Sequence, residues 1–238
     1  MVGCTCEVCT SASLLDKRLR SSVWIQSETT SFVIDTTPDF RYQMLRAGVP
    51  RVDAILYTHA HKDHTAGLDD IRGYNYIQKQ AIPIYCTVAT ELQIRAEFAY
   101  AFAEIKYPGV PDLFFNTIAD ELFFIGDIPI QPIQVWHFKM PVLGFKIGDF
   151  VYITDANKID GSQLPYLHHA KVLVLNALRH DAHISHFTLQ QAIDLSSSVQ
   201  PQQTFFTHIS HQLGLHSQIN ATLPATMQLA YDGLTLHL

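Results

Sequence analysis

The sequence predicts an α+β fold in which two mixed β-sheets pack together and the helices lie outside them. Short apolar runs alternate with turn residues along the chain, and only a few segments have helical spacing. Many of the apolar runs are continuous, which favours strands that are buried on both faces. The 238 residues are enough for one sizeable core, so we predict a single domain over residues 1–238.

Eleven short segments are predicted as strands, because they are apolar and bounded by turn residues. They are Phe32–Asp35, Val52–Thr58, Ile82–Cys86, Glu121–Ile125, Ile128–His137, Val142–Ile147, Phe150–Thr154, Lys171–Asn176, Thr204–His208, Met227–Tyr231 and Leu234–His237. Gly126-Asp127 and Gly148-Asp149 each separate two of these runs, which is typical of a tight hairpin turn.

Helices are fewer than strands. Thr37 is a predicted helix cap with Pro38 at the first helical position, and Gly48 ends that helix. The other predicted helices are Leu68–Gln80, Ala89–Phe102 and Thr188–Ser197. Residues 103–119 contain Pro108-Gly109 and Pro111 and are predicted to form a loop.

The composition excludes several classes of protein. The net charge is −6, and broad binding of nucleic acid needs many cations, so nucleic acid is a disfavoured partner. No apolar run approaches the ~18–20 residues that span a bilayer, which predicts no membrane association. The start of the chain lacks the basic and apolar regions of a secretory signal, so we expect a cytoplasmic, reducing location. The 13 histidines are unusual, and histidine is the commonest metal ligand.

The strongest chemical signal is a cluster of His59, His61, Asp63 and His64 directly after the apolar run Val52–Tyr57. Side chains alternate along an extended strand end, so His59 and His61 point the same way and can reach one ion. The turn that follows brings Asp63 and His64 to a second ion. Imidazole and carboxylate suit zinc, iron or manganese. The alternative is a solvated polar loop with hydrogen-bonded histidines.

Further candidate ligands stand at the ends of other predicted strands. His137, Asp155 and His208 each end an apolar run, and such strand ends cluster at one rim of a sandwich. Taken singly, each is more often a hydrogen-bonded turn residue. Together with the histidine cluster, they are predicted to be metal ligands.

Three cysteines, Cys4, Cys6 and Cys9, are crowded at the start of the chain. A disulfide framework is not usual at this spacing in a reducing compartment, so thiolate metal ligation is the preferred interpretation. An incidental thiol-rich arm is the alternative.

The histidine constellation resembles the metallo-β-lactamase superfamily of hydrolases, with its H-x-H-x-D-H motif. The resemblance implies an αββα sandwich and two catalytic ions. It places His59, His61, His137 and Asp155 on one ion. Asp63, His64, His208 and a bridging Asp155 would hold the other.

The resemblance is closer still to the cyclic phosphodiesterase (PhnP-like) branch of the phosphonate-degradation pathway. The segments Gly3–Cys9 and Thr207–Gln212 carry this similarity. It implies a structural zinc bound by Cys4, Cys6, Cys9 and His211, with the cysteine-rich segment at about residues 3–10. Members of the superfamily usually have a strand before the cysteines. The expectation here is that this first strand is missing, through a late start or a truncation.

The resemblance also suggests roles for residues outside the ligand sets. His186 matches a histidine that assists the leaving group, so it is predicted to be the general acid. Asp63 is assigned to the catalytic set as well as to a metal. Asp35 is predicted to orient a ligand histidine. His180 and His183 could bind substrate phosphate, but exposed surface residues are the preferred interpretation.

The implied activity is metal-dependent hydrolysis of a small, cyclic phosphodiester by a hydroxide that bridges two divalent ions, zinc or manganese. The alternatives are a nuclease of the tRNA 3′-processing kind, a thioester or lactone hydrolase, a redox or sensing protein, and a non-catalytic metal-binding scaffold. The predicted partner is the small-molecule substrate. A homodimer stays open, since the sequence does not reveal the oligomeric state.

Overall fold

The structure is a computed structural model that describes every residue from Met1 to Leu238. Two compact units are distinguished by their internal contacts. We call Arg20–Ile130 the amino-terminal unit, and Gln131–Leu238 together with Met1–Leu19 the carboxy-terminal unit. Each unit has its own apolar core. The prediction of one domain over the whole chain stays a prediction.

The chain forms short strands and short helices in alternation. The strands are β1 Val23–Gln26, β2 Ser31–Ile34, β3 Ala54–Leu56, β4 Ile82–Cys86, β5 Leu113–Thr117, β6 Phe123–Ile125, β7 Ile128–His137, β8 Met140–Ile147, β9 Phe150–Ile153, β10 Lys158–Ile159, β11 Val172–Asn176, β12 Gln203–Thr207 and β13 Met227–Leu229. The α-helices are α1 Glu7–Thr10, α2 Phe40–Ala47, α3 Lys62–Thr65, α4 Arg72–Gln78, α5 Val88–Glu97, α6 Leu189–Val199 and α7 His216–Asn220. Single 3₁₀ turns lie at Leu14–Asp16, Leu68–Ile71, Ala99–Ala101 and Leu164–Tyr166.

The amino-terminal unit contains a mixed sheet of five strands in the order β1-β2-β3-β4-β5. The strands β1 and β2 are antiparallel, and the neighbours from β2 to β5 are parallel. Its core includes Ile55, Ile82 and Ile84 from the central strands, which are fully buried. The parallel arrangement brings the carboxyl ends of β2 and β3 to the same edge of the sheet, and the histidine motif follows β3 there.

Gly67 permits a close approach beside that motif. A Cβ atom at this position would lie 2.1 Å from the backbone oxygen of Thr37 and 2.6 Å from Cβ of Phe40. Both distances are far inside van der Waals contact, so no other residue fits without a backbone shift. The backbone N–H of Gly67 donates to the oxygen of Thr36, which fixes the segment after α3 against the loop after β2.

The carboxy-terminal unit contains a mixed sheet with the strand order β10-β7-β8-β9-β11-β12-β13. Strands β10, β7, β8 and β9 pair antiparallel, whereas β9, β11, β12 and β13 pair parallel. Helix α6 begins with a capping box, in which Thr188 and Gln191 bond each other's backbone. Its apolar face, including Ala192 and Val199, belongs to the core of this unit.

The predicted α+β class with two mixed sheets is confirmed, and most predicted elements are present within a few residues. The two predicted hairpin turns are confirmed as well, because Gly126 and Gly148 adopt left-handed φ angles of 56° and 57°. No helix of the structure has the length and apolar character that crossing a membrane requires.

Two predictions of local structure are wrong. The predicted loop over residues 103–119 contains strand β5, which pairs with β4 along its whole length. The two prolines lie before the strand, so they do not interrupt its hydrogen bonding. The predicted strand Leu234–His237 is irregular, because no neighbouring strand pairs with it. Alternation of apolar residues alone does not supply a pairing partner. The sequence also missed the short strands β1 and β10.

Candidate metal centre

The histidine motif brings three imidazoles together after β3. His59 and His64 are buried, whereas His61 is exposed. The ring centre of His59 lies 4.6 Å from that of His61 and 4.3 Å from that of His64. The three histidines of the motif therefore lie close together, and their assignment to metal ions stays a prediction.

Asp35 orients two of these histidines from the end of β2. His64 donates from Nδ1 to Asp35 Oδ2 over 2.7 Å, and the Thr58 hydroxyl donates to the same oxygen over 2.8 Å. Because the Thr58 proton points to Asp35, its oxygen accepts from Nδ1 of His59 at 3.0 Å. Both imidazoles then carry their proton on Nδ1 and their lone pair on Nε2, which is the form that can ligate a metal. The predicted contact of Asp35 with a motif histidine is present.

Asp35 occupies an unusual environment. It is fully buried, and its backbone has a φ of 63°, a left-handed conformation that only a few residue types adopt readily. Burial raises the pKa of the Asp35 carboxyl above its ordinary value, and the opposing effects of His64 and Thr58 are smaller. Such a backbone conformation costs about 1–3 kcal/mol and persists where the surroundings hold it in place.

Asp63 lies in the first turn of α3, where its side chain is half-buried. Its Oδ2 lies 3.8 Å from Nε2 of His64 and 3.7 Å from a guanidinium nitrogen of Arg20. Arg20 was not among the candidate residues of the sequence. Asp63 therefore lies next to His64, and its role as a metal ligand stays a prediction.

We expect Asp35→Asn to weaken metal binding by about 10–100-fold, the usual effect of changing a residue that orients a ligand histidine. Asparagine tolerates the left-handed backbone at this position, so the loss reports the carboxylate rather than the fold. The measurement is the affinity for Zn²⁺ by competition with a chelator.

Asp127→Asn is the matched control, since Asp127 also accepts bonds from neighbouring side chains, here the hydroxyls of Ser27, Thr29 and Thr30. The control variant should lose thermal stability and keep its metal affinity. Equal metal affinity in the two variants would show that Asp35 has only a structural role.

A second cluster of polar side chains forms in the carboxy-terminal unit. His137 is the last residue of β7, and Asp155 and His208 follow β9 and β12. His208 Nε2 lies 3.0 Å from Asp155 Oδ1. The ring centre of His186 lies 4.6 Å from that of His137 and 4.8 Å from that of His208. The structure therefore brings together the three predicted strand-end ligands and the predicted acid.

One ligand atom from each of Asp155, His186 and His208 lies within 4.8 Å of the others, a spacing that a single metal ion can bridge. Asp155 and His208 both have left-handed φ angles of 52°. Each strand end thus turns sharply at the candidate ligand. Such strained positions concentrate at functional sites.

His186 is the predicted general acid, and burial determines its charge. Desolvation lowers the pKa of His186 to about 3, which the nearby charge of Asp155 only partly offsets. The imidazole is therefore neutral at pH 7. Its Nδ1 atom is buried and has no hydrogen-bond partner. His183, which the sequence assigned to the surface, lies with its ring centre 4.9 Å from that of His186.

The predicted thiol site is assembled by the fold. One ligand atom from each of Cys4, Cys6, Cys9 and His211 lies within 4.8 Å of the others. Nδ1 of His211 is 3.4 Å from both Cys4 Sγ and Cys6 Sγ. The hydrogen bond from His211 lowers the pKa of the Cys6 thiol to about 6, which favours the thiolate that binds metal. Three thiols and one imidazole match the donor set of a closed, tetrahedral zinc site.

The remaining candidates behave as ordinary structural residues. Cys86 is fully buried, and burial raises the pKa of its thiol to about 12, as expected of a small core residue. His180 bonds the backbone oxygen of Leu213 at 3.0 Å.

Comparison with known proteins identifies the family. A family model described as the β-lactamase superfamily domain matches residues 30–209, which is most of the chain. A solved structure named as a new diphosphatase from the PhnP family is 37% identical, with a TM-score of 0.93. That similarity covers 100% of this chain and 91% of the other. The chain belongs to the β-lactamase superfamily and, within it, to the PhnP family. It has the metallo-β-lactamase fold that the resemblance implied.

Two further relatives bear on the function. The short form of human tRNase Z is 20% identical with a TM-score of 0.68 over 90% of this chain and 91% of its own, which shows a shared fold only. A protein from Porphyromonas gingivalis named octanoyltransferase is 36% identical over 236 residues. The match covers 98% of this chain but 48% of that relative, so the chain spans about half the length of the curated relative that it matches.

Proposed function

We propose that this protein hydrolyses the phosphodiester bond of a small molecule, such as a cyclic phosphate, with the help of divalent metal ions. The observation that carries the proposal is the presence of buried histidine and aspartate clusters in a chain of the PhnP family. Octanoyl transfer is not part of the proposal, because the relative with that name is matched over 48% of its length.

Two catalytic ions, zinc or manganese, are part of the proposal. The ligand sets are those that the resemblance implies: His59, His61, His137 and Asp155 for one ion, and Asp63, His64, His208 and Asp155 for the other. Bound ions of this kind lower the pKa of water towards ~7 and offset the charge that develops on phosphorus. We also propose one structural zinc at Cys4, Cys6, Cys9 and His211.

The side chains of the site have separate tasks in this proposal. Asp35 and Thr58 keep His59 and His64 in the tautomer that ligates through Nε2. His186 supplies a proton to the leaving oxygen. With a pKa of about 3 the ring is neutral before substrate arrives, so the acid role requires that a phosphate anion beside the ring raise this pKa until the imidazolium, which can release a proton, is present.

A diphosphate is the second candidate substrate. It is favoured by the relative at 37% identity that is named a diphosphatase. The same residues would serve both reactions, since each breaks a phosphorus–oxygen bond in an anionic substrate. The two differ in the leaving group, which is an alkoxide from a diester and a phosphate from a diphosphate.

A salt series distinguishes a small substrate from a nucleic acid. A small diester releases few counterions on binding, so we expect kcat/KM to fall with a log–log slope of about −1 to −2. The assay compares a ribose 1,2-cyclic phosphate, a nucleoside diphosphate and a precursor tRNA on the zinc- and manganese-loaded protein. The net charge of −6 favours the first two substrates.

Each result of this assay has a defined meaning. Turnover of the cyclic phosphate above the diphosphate supports the phosphodiesterase. The reverse order favours the diphosphatase. Efficient and steeply salt-dependent cleavage of the tRNA alone contradicts the proposal. Metal binding without turnover of any substrate favours a scaffold.

A further inference from the structure

Three segments of the carboxy-terminal unit carry candidate site residues, and two asparagines bind all three. The segments are the end of β7, the loop after β9 and the loop before α6, which carry His137, Asp155 and His186. The asparagines are Asn157 and Asn176. Neither was a candidate from the sequence motif.

Asn157 links two of these segments through its side-chain amide. Its Oδ1 accepts from the backbone N–H of Phe138 at 2.8 Å, and its Nδ2 donates to the backbone oxygen of Ile184 at 3.0 Å. Its own backbone N–H donates to the oxygen of Trp136 at 2.9 Å. Asn157 thus bonds the residue before His137 and the residue after it, and it also bonds the loop that leads to His186.

The Ile184 contact acts on His137 as well. The next residue along the loop, Ser185, accepts from Nδ1 of His137 over 2.9 Å with its backbone oxygen. That bond sets the tautomer and the rotation of the imidazole. By fixing Ile184, Asn157 also fixes the backbone oxygen of Ser185, which orients His137. Ile184 is two residues before His186, so the same bond restrains the approach to that residue.

Asn176 holds the third segment. This side chain is fully buried, and both ends of its amide bond the backbone of Ala156 at 2.9 Å. The oxygen of Ala156 also accepts from the backbone N–H of Phe187 at 2.8 Å. Ala156 follows Asp155, whose left-handed backbone needs such a restraint.

We propose that Asn157 is a positioning residue that holds His137 and His186 in the orientation that the site requires. Asn176 has the same role for Asp155, through its bonds to the backbone of Ala156. This inference rests on the proposed function for its effect on turnover. Its effect on metal affinity depends only on the ligand role of His137, so the two can be tested apart.

The test uses Asn157→Ala and Asn157→Asp in the full chain. Alanine removes both side-chain bonds. Aspartate keeps the acceptor for Phe138 but places a carboxylate oxygen against the Ile184 oxygen, so it removes the donor alone. Asn220→Ala is the matched control, because Asn220 is half-buried in the same unit and bonds the backbone of Leu229 at 2.8 Å, in a strand without candidate ligands.

We expect both Asn157 variants to bind Zn²⁺ about 10–100-fold more weakly in chelator competition, the range for residues that orient ligands. We expect kcat on a diester to fall by a similar factor, with KM changed much less. The control should match the wild type in both. If the alanine variant does not fold, the aspartate variant carries the same comparison.

Wild-type metal affinity and kcat in the Asn157 variants, with only a lower melting temperature, overturn the positioning role. If the wild-type protein hydrolyses no phosphate ester, the proposed function fails, while the metal-affinity comparison still decides the role of Asn157.

Discussion

Replacing His186 with alanine is expected to lower kcat by about 10²–10⁴-fold on a diester with a poor alkoxide leaving group, the usual contribution of a general acid. The loss should be small on bis(p-nitrophenyl) phosphate, because p-nitrophenolate leaves without a proton. The measurement is kcat on both substrates for the wild type and the variant, loaded with the same metal.

The metal content of the His186→Ala protein separates two roles for this residue. A general acid can be removed with the catalytic ions still bound. His186 also lies within metal-bridging distance of Asp155 and His208, so loss of an ion would make it a ligand instead. Equal loss of kcat on both substrates with full metal content would contradict the acid role and indicate that the residue positions the substrate.

The second large effect concerns stability. We expect Cys6→Ser to lose about one zinc ion per chain and to unfold at a much lower temperature. Apparent binding energies of structural zinc are about 10–16 kcal/mol in small zinc domains, and this energy is available only to the folded state. The measurement is elemental analysis of protein purified without chelator, together with thermal unfolding.

Cys86→Ala is the control for this experiment, because Cys86 is a buried thiol outside the cluster. It should keep its full zinc content and lose only the stability that a small core cavity costs, roughly 1 kcal/mol. Addition of a strong chelator should destabilise the wild type and the control more than Cys6→Ser, because that variant has already lost the structural zinc. Full zinc content and full stability in Cys6→Ser would overturn the structural zinc site.

The sequence predicted most of the parallel and antiparallel strands because their apolar runs are continuous and end at clear turn residues. It failed at β5, where Pro108-Gly109 and Pro111 stand just before the strand, and at Leu234–His237, where alternation has no partner strand. Both errors have one physical origin. Strand formation depends on a neighbour that is distant in the chain, and local composition does not contain that information.

The candidate site likewise contains residues that the sequence reveals and residues that only the fold brings into place. The histidine motif, the strand-end residues and the cysteine cluster are visible as residue types at short spacing. The residues that orient them are not, because Thr58, Asn157 and Asn176 act through hydrogen bonds that only the folded chain brings into range. A signal existed for Asn157, which is two residues beyond a predicted ligand, but asparagine after a strand is far more often a turn residue.

The left-handed backbone at Asp35, Asp155 and His208 has a consequence for mutational scanning of this protein. Alanine is poorly suited to that conformation, so an alanine scan would add a backbone penalty to whatever the lost side chain contributes. Asparagine and glycine adopt it more easily. At these three positions, a comparison of the asparagine and glycine variants separates side-chain chemistry from conformational strain, whereas alanine reports the sum of the two.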